Sequence, residues 1–298
     1  MKVWRAISAL LVCVLLAACA TPSPPRSPAT HQSSPMDAVD SLIASVEGVY
    51  DQPAQIDRPA PPFHLAVRFQ PVSNLDRDAD RSNYRGLLLT QARSGENPRQ
   101  FAVTLTFDSS GEFIRGRFAP LGAQGNELGS CPVSMAISRG GFVLETDPQT
   151  CRFGQGAGEM LLHKEMAFSN EQIVIADRLF QPGSNLPAQN DVVVRFLRRQ
   201  TFQAQAAVLE GGNRRLSVPL GLDTSASPTA AVDAAGMSLG ADLILRYYEM
   251  QDARQTVVLR LSVVDHASEE MLGEAWSEPG ATVMGLNLRE LEVVLNAR

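Results

Sequence analysis

Residues 131–180 read CPVSMAISRGGFVLETDPQTCRFGQGAGEMLLHKEMAFSNEQIVIADRLF. Cys131 and Cys151 bracket two apolar runs, Val133–Ile137 and Phe142–Glu145, which meet at the turn signal Arg139-Gly140-Gly141. Asp147-Pro148 and a glycine-rich stretch at 154–158 separate them from a second pair, Glu159–Ala167 and Gln172–Ala176, which turns at Ser169-Asn170. Short apolar runs punctuated by Gly, Pro, Asn and Asp are the pattern of antiparallel strands. The glycines of 154–158 are read as a turn, because no phosphate-loop lysine follows them and a strand comes next.

The same pattern continues upstream. Phe63, Leu65, Val67 and Phe69 alternate with polar or small residues, as do Phe101, Val103, Leu105 and Phe107. Leu87–Gln91, Phe113–Phe118 and Val192–Leu197 add further runs, and Asp108-Ser109-Ser110-Gly111 supplies another turn. Strands at about 10-residue spacing predict an antiparallel barrel or sandwich. One apolar face per strand fits a barrel just wide enough for side chains or one small ligand. Before the strands, Val39, Leu42, Ile43 and Val46 form one helical face after Ser34-Pro35, a cap followed by proline.

Arg198-Arg199 marks a change, and the strand pattern then restarts at Phe202–Leu209, Leu216–Leu220, Leu243–Tyr248, Thr256–Val264 and Leu272–Trp276. Asp223–Ala235 reads as a long loop. Leu291, Val293 and Leu295 alternate as a strand does, although a helix capped by Asn287 also fits. The organisation expected is residues 1–18 as a signal, 19–35 as a tether, 36–199 as a barrel and 200–298 as a smaller β-rich C-terminal domain. The alternative is that the last strands extend the first barrel.

The N-terminus speaks to compartment. Lys2 and Arg5 precede an apolar run that is too short to span a bilayer and ends in Leu16-Ala17-Ala18-Cys19. This resembles the lipobox of bacterial lipoproteins, in which the preceding peptide is removed and the cysteine carries lipid. The resemblance implies a membrane anchor at Cys19, a place in the cell envelope and, from Ala20, an outer-membrane protein facing the periplasm. The Pro/Ser/Thr-rich run 21–35 cannot bury enough surface to fold and reads as a spacer. Without the signal, 24 basic residues stand against 32 acidic ones, a net charge of about −8. Such a chain is poorly suited to nucleic acid. Of the four cysteines, Cys131 and Cys151 remain after Cys13 and Cys19 are set aside. An even pair in an oxidising compartment predicts a disulfide closing a loop of roughly 20 residues, contributing about 3 kcal/mol. Two free thiols, or a thiol nucleophile, are the rival reading.

Chemistry is sparse. His31, His64, His163 and His266 lie far apart, so no metal site is expected. No G-x-S-x-G elbow or H-E-x-x-H helix occurs. No catalytic residues are identified, and no resident cofactor is expected.

Residues 36–199 resemble the CpcT/CpeT family of phycobiliprotein chromophore lyases. The carriers are Leu42, Gly48, Tyr50 and Gln55; the run from Tyr84 to Gln91 followed by Pro98-Arg99-Gln100; Ser130-Cys131, Gly141-Phe142, Cys151 and Gly156-Ala157; and Asp177-Arg178. Thr90 and Leu179 replace a glutamate and a glycine of the family pattern. The resemblance implies a mainly β, calycin-like antiparallel barrel of about ten strands covered by an N-terminal helix. It makes Tyr84, Gln91, Arg99, Asp177 and Arg178 the candidate ligand-binding residues. Three functions follow as expectations: an envelope protein binding a small apolar or amphipathic ligand, bilin- or lipid-like; a bilin lyase acting on a protein partner; and a non-enzymatic scaffold for another envelope protein. Phe63, Phe69, Phe101, Phe107, Phe113 and Phe118 decide among them. If they fill the barrel, the scaffold reading gains.

Overall fold

In the computed structural model the described residues are 35–56, 61–69, 83–138, 140–153, 159–184, 188, 192–252 and 254–298. The expected signal, Cys19, the expected tether up to residue 34 and the glycine-rich run 154–158 lie outside them. Helix α1 (Pro35–Ser45) opens the fold. Ten strands then close into an antiparallel barrel: β1 (Gly48–Asp51), β3 (Phe63–Phe69), β4 (Tyr84–Arg93), β5 (Arg99–Phe107), β6 (Phe113–Leu121), β7 (Cys131–Ser138), β8 (Gly141–Thr146), β10 (Met160–Ser169), β11 (Gln172–Phe180) and β12 (Val192–Arg198). Closure comes from β12 pairing with β1 through Tyr50 and Arg198, which removes the open edges. The two-residue β9 (Arg152–Phe153) adds to β10. The expected barrel and helix are both present.

Alternation sorts the strand residues. Leu65 and Val67, Leu87 and Leu89, Val103, Leu105 and Phe107, Phe142 and Leu144, Met166 and Phe168, Ile173 and Ile175 all point into one buried cluster. Phe63, Phe101 and Phe113 pack on the same cluster, and Phe118 is within it. Of the six phenylalanines singled out in the sequence, only Phe69 is exposed, at 44 %. Rings pair at Phe63–Phe196, Phe101–Phe118, Phe107–Phe113 and Phe142–Phe168, with centroids 4.8 to 6.0 Å apart. Such pairs add about 0.5–1.5 kcal/mol each beyond their burial. The apolar interior is a packed core.

Helix α1 closes one end. Val39, Ile43 and Val46 join the barrel cluster, and Asp40 pairs with Arg85 of β4. Arg198 secures the helix C-terminus: its guanidinium donates to the carbonyls of Ser45, Glu47 and Asn170 and to the Tyr50 hydroxyl. The last carbonyls of a helix have no intrahelical donors, and an arginine supplies them here. Burial pushes the Tyr50 hydroxyl up to about 12, with Arg198 acting in the opposite sense. Cys131 and Cys151 are joined by a disulfide at the far end of the barrel, where they form a small cluster with Leu162 and Leu179.

The remaining strands build two further sheets. One orders β14 (Asn213–Leu216), β13 (Thr201–Glu210), β21 (Leu291–Ala297) and β20 (Val283–Asn287), with β15 (Leu220–Asp223) also on β13. The other orders β16 (Thr229–Val232), β17 (Ser238–Glu249), β18 (Val257–Asp265) and β19 (Met271–Ser277). They share a second core, including Phe202, Leu243, Leu245, Leu259, Leu261, Val293 and Leu295, separate from that of the barrel. The C-terminal run is a strand, as alternation favoured. One expectation is corrected. Thr229–Val232 pairs with β17 inside the stretch read as a loop; its small residues carry little apolar signal. The two-residue β2 (Ala54–Gln55), between barrel strands β1 and β3, pairs in parallel with Tyr248 and Glu249 of β17. The barrel segment therefore contributes an edge to the second sheet.

Candidate functional site

The barrel end opposite α1 keeps polar groups on the inward face. Leu87 and Leu89 set the face of β4 on which Gln91 and Arg93 follow; Val103 and Phe101 set the face of β5 that ends in Arg99. Gln91 and Arg99 are direct cross-strand partners. With Phe63, Arg93, Glu96 and Asn97 they line a recess of about 70 Å³, room for roughly two water molecules. The Arg93 guanidinium lies 5.0 Å from the centre of the Phe63 ring.

Beneath the disulfide sits a polar shelf. Lys164 of β10 and Asp177 of β11 face each other in register, with Nζ 2.5 Å from Oδ1. The Lys164 side chain is only 9 % exposed and Asp177 37 %, so the pair is half sheltered. The ammonium lies 5.5 Å from the centre of the Phe118 ring, which itself stacks on Phe101. The buried Thr146 hydroxyl donates to Leu162 O and accepts from Lys164 N.

A second constellation joins the barrel to the C-terminal sheets. Asp51, nearly buried, accepts from Arg199 through Nε and Nη2, the latter at 2.6 Å. It also accepts from the Thr224 hydroxyl at 2.6 Å and lies 2.7 Å from His64 Nδ1. Burial alone would raise the Asp51 pKa, but hydrogen bonds from His64, Arg199 and Thr224 outweigh it and hold the carboxyl below its usual range. Burial would lower the Arg199 pKa, but Asp51 and Asp223 hold it above its ordinary value. Tyr247 adds a hydrogen bond from its hydroxyl to Arg198 O. This network joins a carboxylate, an imidazole, a guanidinium and a hydroxyl, and it ties β1 and β3 of the barrel to the turn after β15.

The third constellation lies on the outer face of the β16–β19 sheet. Leu245, Tyr247, Leu259 and Leu261 point inward, so Arg246, Tyr248 and Arg260 point out. Arg246 and Arg260 are directly opposite across β17 and β18, and Trp276 is opposite Arg260 across β18 and β19. The Arg260 guanidinium lies 5.2 Å from the Tyr248 ring and 5.0 Å from the Trp276 ring, and pairs with Glu274. Its Nε is buried without a hydrogen-bond partner. Like charges directly opposite repel, so stacking and Glu274 hold the pair together.

The five residues singled out in the sequence do not converge. Gln91 and Arg99 meet at the recess, and Asp177 stands at the same barrel end in a separate pair with Lys164. Arg178 follows on the opposite face of β11. Tyr84 lies on the outer wall near the α1 end, lining a broad depression with Thr104, Thr106, Arg115 and Arg117. Lys164, Arg198 and the Asp51–Arg199 pair went unrecognised. Lys164 had a signal, since it shares the parity of Leu162, Met166 and Phe168. His163 pairs with Glu145 on the other face. Among the described residues, no three His, Cys, Asp or Glu side chains gather as a metal site. No family model, curated protein or solved structure matches the chain.

Proposed function

We propose that the chain is an envelope-anchored, non-enzymatic scaffold, held by a lipidated Cys19, that binds an acidic envelope protein through the Arg246–Tyr248–Arg260–Trp276 face. The observation carrying this reading is the packed barrel. Tyr50, Phe107, Phe118, Phe142 and Phe196 are all buried where a flat or elongated ligand would have to lie. A solid barrel supports rather than contains. The face has the Trp, Tyr and Arg composition of interface hot spots. Its opposed arginines, with Glu274 against them, complement a negative surface although the chain as a whole is acidic.

The test is photo-cross-linking in cells from a benzophenone side chain at Leu272, which is 44 % exposed on β19. The expected result is one discrete adduct, lost in Trp276→Ala and in Arg260→Gln, and absent when the probe sits at Ile137 on the barrel. Adducts that ignore both substitutions would end this reading. Labelling with a fatty acid should be lost in Cys19→Ala.

One observation favours a second reading, capture of a small amphipathic ligand at the barrel mouth: Gln91 and Arg99 share a recess at the end that also carries Lys164 and Asp177. That reading predicts a ligand released by Arg99→Ala with the fold unchanged.

A further inference from the structure

The outer wall of the barrel is hollowed across β4, β5 and β6, where a depression of about 520 Å³ lies, within the size range of ligand pockets. Alternation builds its lining. Val103, Leu105 and Phe107 point into the barrel core, so Thr104 and Thr106 point out. Register then sets Tyr84 of β4, Thr106 of β5 and Arg115 of β6 in one row, and Thr104 and Arg117 in the next. Ser130 and Pro132 complete the side toward β7. Of the five residues singled out in the sequence, Tyr84 alone lies here.

The two arginines differ. Arg117 is held by Glu127, with Nη2 2.8 Å from Oε1. Arg115 is exposed. Among the described residues its guanidinium makes one hydrogen bond, from Nη2 to the Tyr84 hydroxyl at 3.5 Å, the outer limit of contact. The fork of Arg115 therefore has capacity for a carboxylate, whose geometry it matches with two parallel hydrogen bonds. The other polar groups of the lining are the hydroxyls of Tyr84, Thr104, Thr106 and Ser130. A hydroxyl both donates and accepts, whereas a guanidinium only donates. The complementary molecule carries hydroxyls of its own and one group that only accepts. No large aliphatic side chain lines the depression among the described residues, so an apolar body has little to lie against.

We propose that this depression binds an acidic saccharide, a sugar ring bearing one carboxylate. Arg115 takes the carboxylate in a bidentate grip. Tyr84, Thr104 and Thr106 exchange hydrogen bonds with the ring hydroxyls. Arg117 and Glu127, paired with each other, border the site. The inference shares no residue with the Arg246–Tyr248–Arg260–Trp276 face, so either can fail alone.

The test is amide NMR titration of residues 34–298, one compact unit, with glucuronate, glucose and acetate as probes. Glucuronate should shift the amides of Thr104, Thr106, Arg115 and Arg117 saturably, with glucose and acetate each at least about tenfold weaker. Arg115→Gln should weaken glucuronate binding about tenfold or more while the rest of the unliganded spectrum stays in place. Arg115→Lys, which keeps the charge and loses the fork, should fall between the two. Thr106→Val, which removes a hydroxyl at constant shape, should cost about threefold. Trp276→Ala should change nothing. The proposal is overturned if glucose or acetate saturates the same amides as well as glucuronate does, if Arg115→Gln leaves the affinity unchanged, or if these amides show no saturable shift by about 10 mM glucuronate.

Discussion

Asp51 is where one side chain carries the most consequence. Its carboxylate binds His64 and Arg199, the latter beyond the last barrel strand, and Thr224 of the C-terminal sheets. Removing one member of a buried ion pair leaves the other charge uncompensated, at about 3–5 kcal/mol. Asp51→Asn should therefore lower the unfolding free energy by about that amount, read as a lower urea midpoint at constant slope. The same residue sets an acid limit. Its folded pKa lies below its unfolded value of about 3.9. The stability it contributes is thus complete above that unfolded value and is lost as pH falls through the folded pKa. Wild-type stability should drop on acidification below about pH 4, and the Asp51→Asn drop should be shallower when the two are compared by thermal melts across pH. None of this was legible in the sequence. Asp51, His64, Arg199 and Thr224 are distant along the chain, and nothing local distinguishes Asp51 from a surface aspartate. Lys164 was different, because its inward parity can be read from three neighbouring apolar positions, Leu162, Met166 and Phe168.

Among the elements, the β7–β8 hairpin makes the most sharply divided prediction. Gly140 and Gly141 are adjacent in its turn but constrained in different ways. Gly140 has φ +81° with no atom within 4 Å of an added Cβ, so Gly140→Ala should cost about 1–2 kcal/mol in backbone strain alone. At Gly141 a Cβ would fall 1.9 Å from the Phe168 carbonyl oxygen of the paired strand. Backbone cannot give way as a side chain can, so β8 and β10 would have to part. Gly141→Ala should exceed about 4 kcal/mol or prevent folding, measured against Gly140→Ala by chemical denaturation. The hairpin itself was legible, since Gly-Gly between two alternating runs is a strong local signal. So were α1 and the last strand. The short β2 was not, because two residues carry no period and its partner β17 is nearly 200 residues away. β16 was missed because Thr229–Val232 lacks large apolar residues.

At the scale of the molecule, the sequence left the barrel's content open. Six phenylalanines at inward-compatible positions fit either a lined cavity or a filled core. The difference lies in which rings meet across strands, and strand closure decides it. The pairing of β12 with β1 brings Phe196 onto Phe63, and the antiparallel pairing of β8 with β10 stacks Phe142 on Phe168. The measurement that tests the packed barrel most directly is aromatic proton NOE spectroscopy on residues 34–298, without ligand and with an added linear tetrapyrrole. Cross-peaks joining Phe63 to Phe196, Phe101 to Phe118 and Phe142 to Phe168, unmoved by the tetrapyrrole, are predicted. Missing cross-peaks, or rings that shift together when the tetrapyrrole is added, would contradict the account and return the barrel to the role of a container.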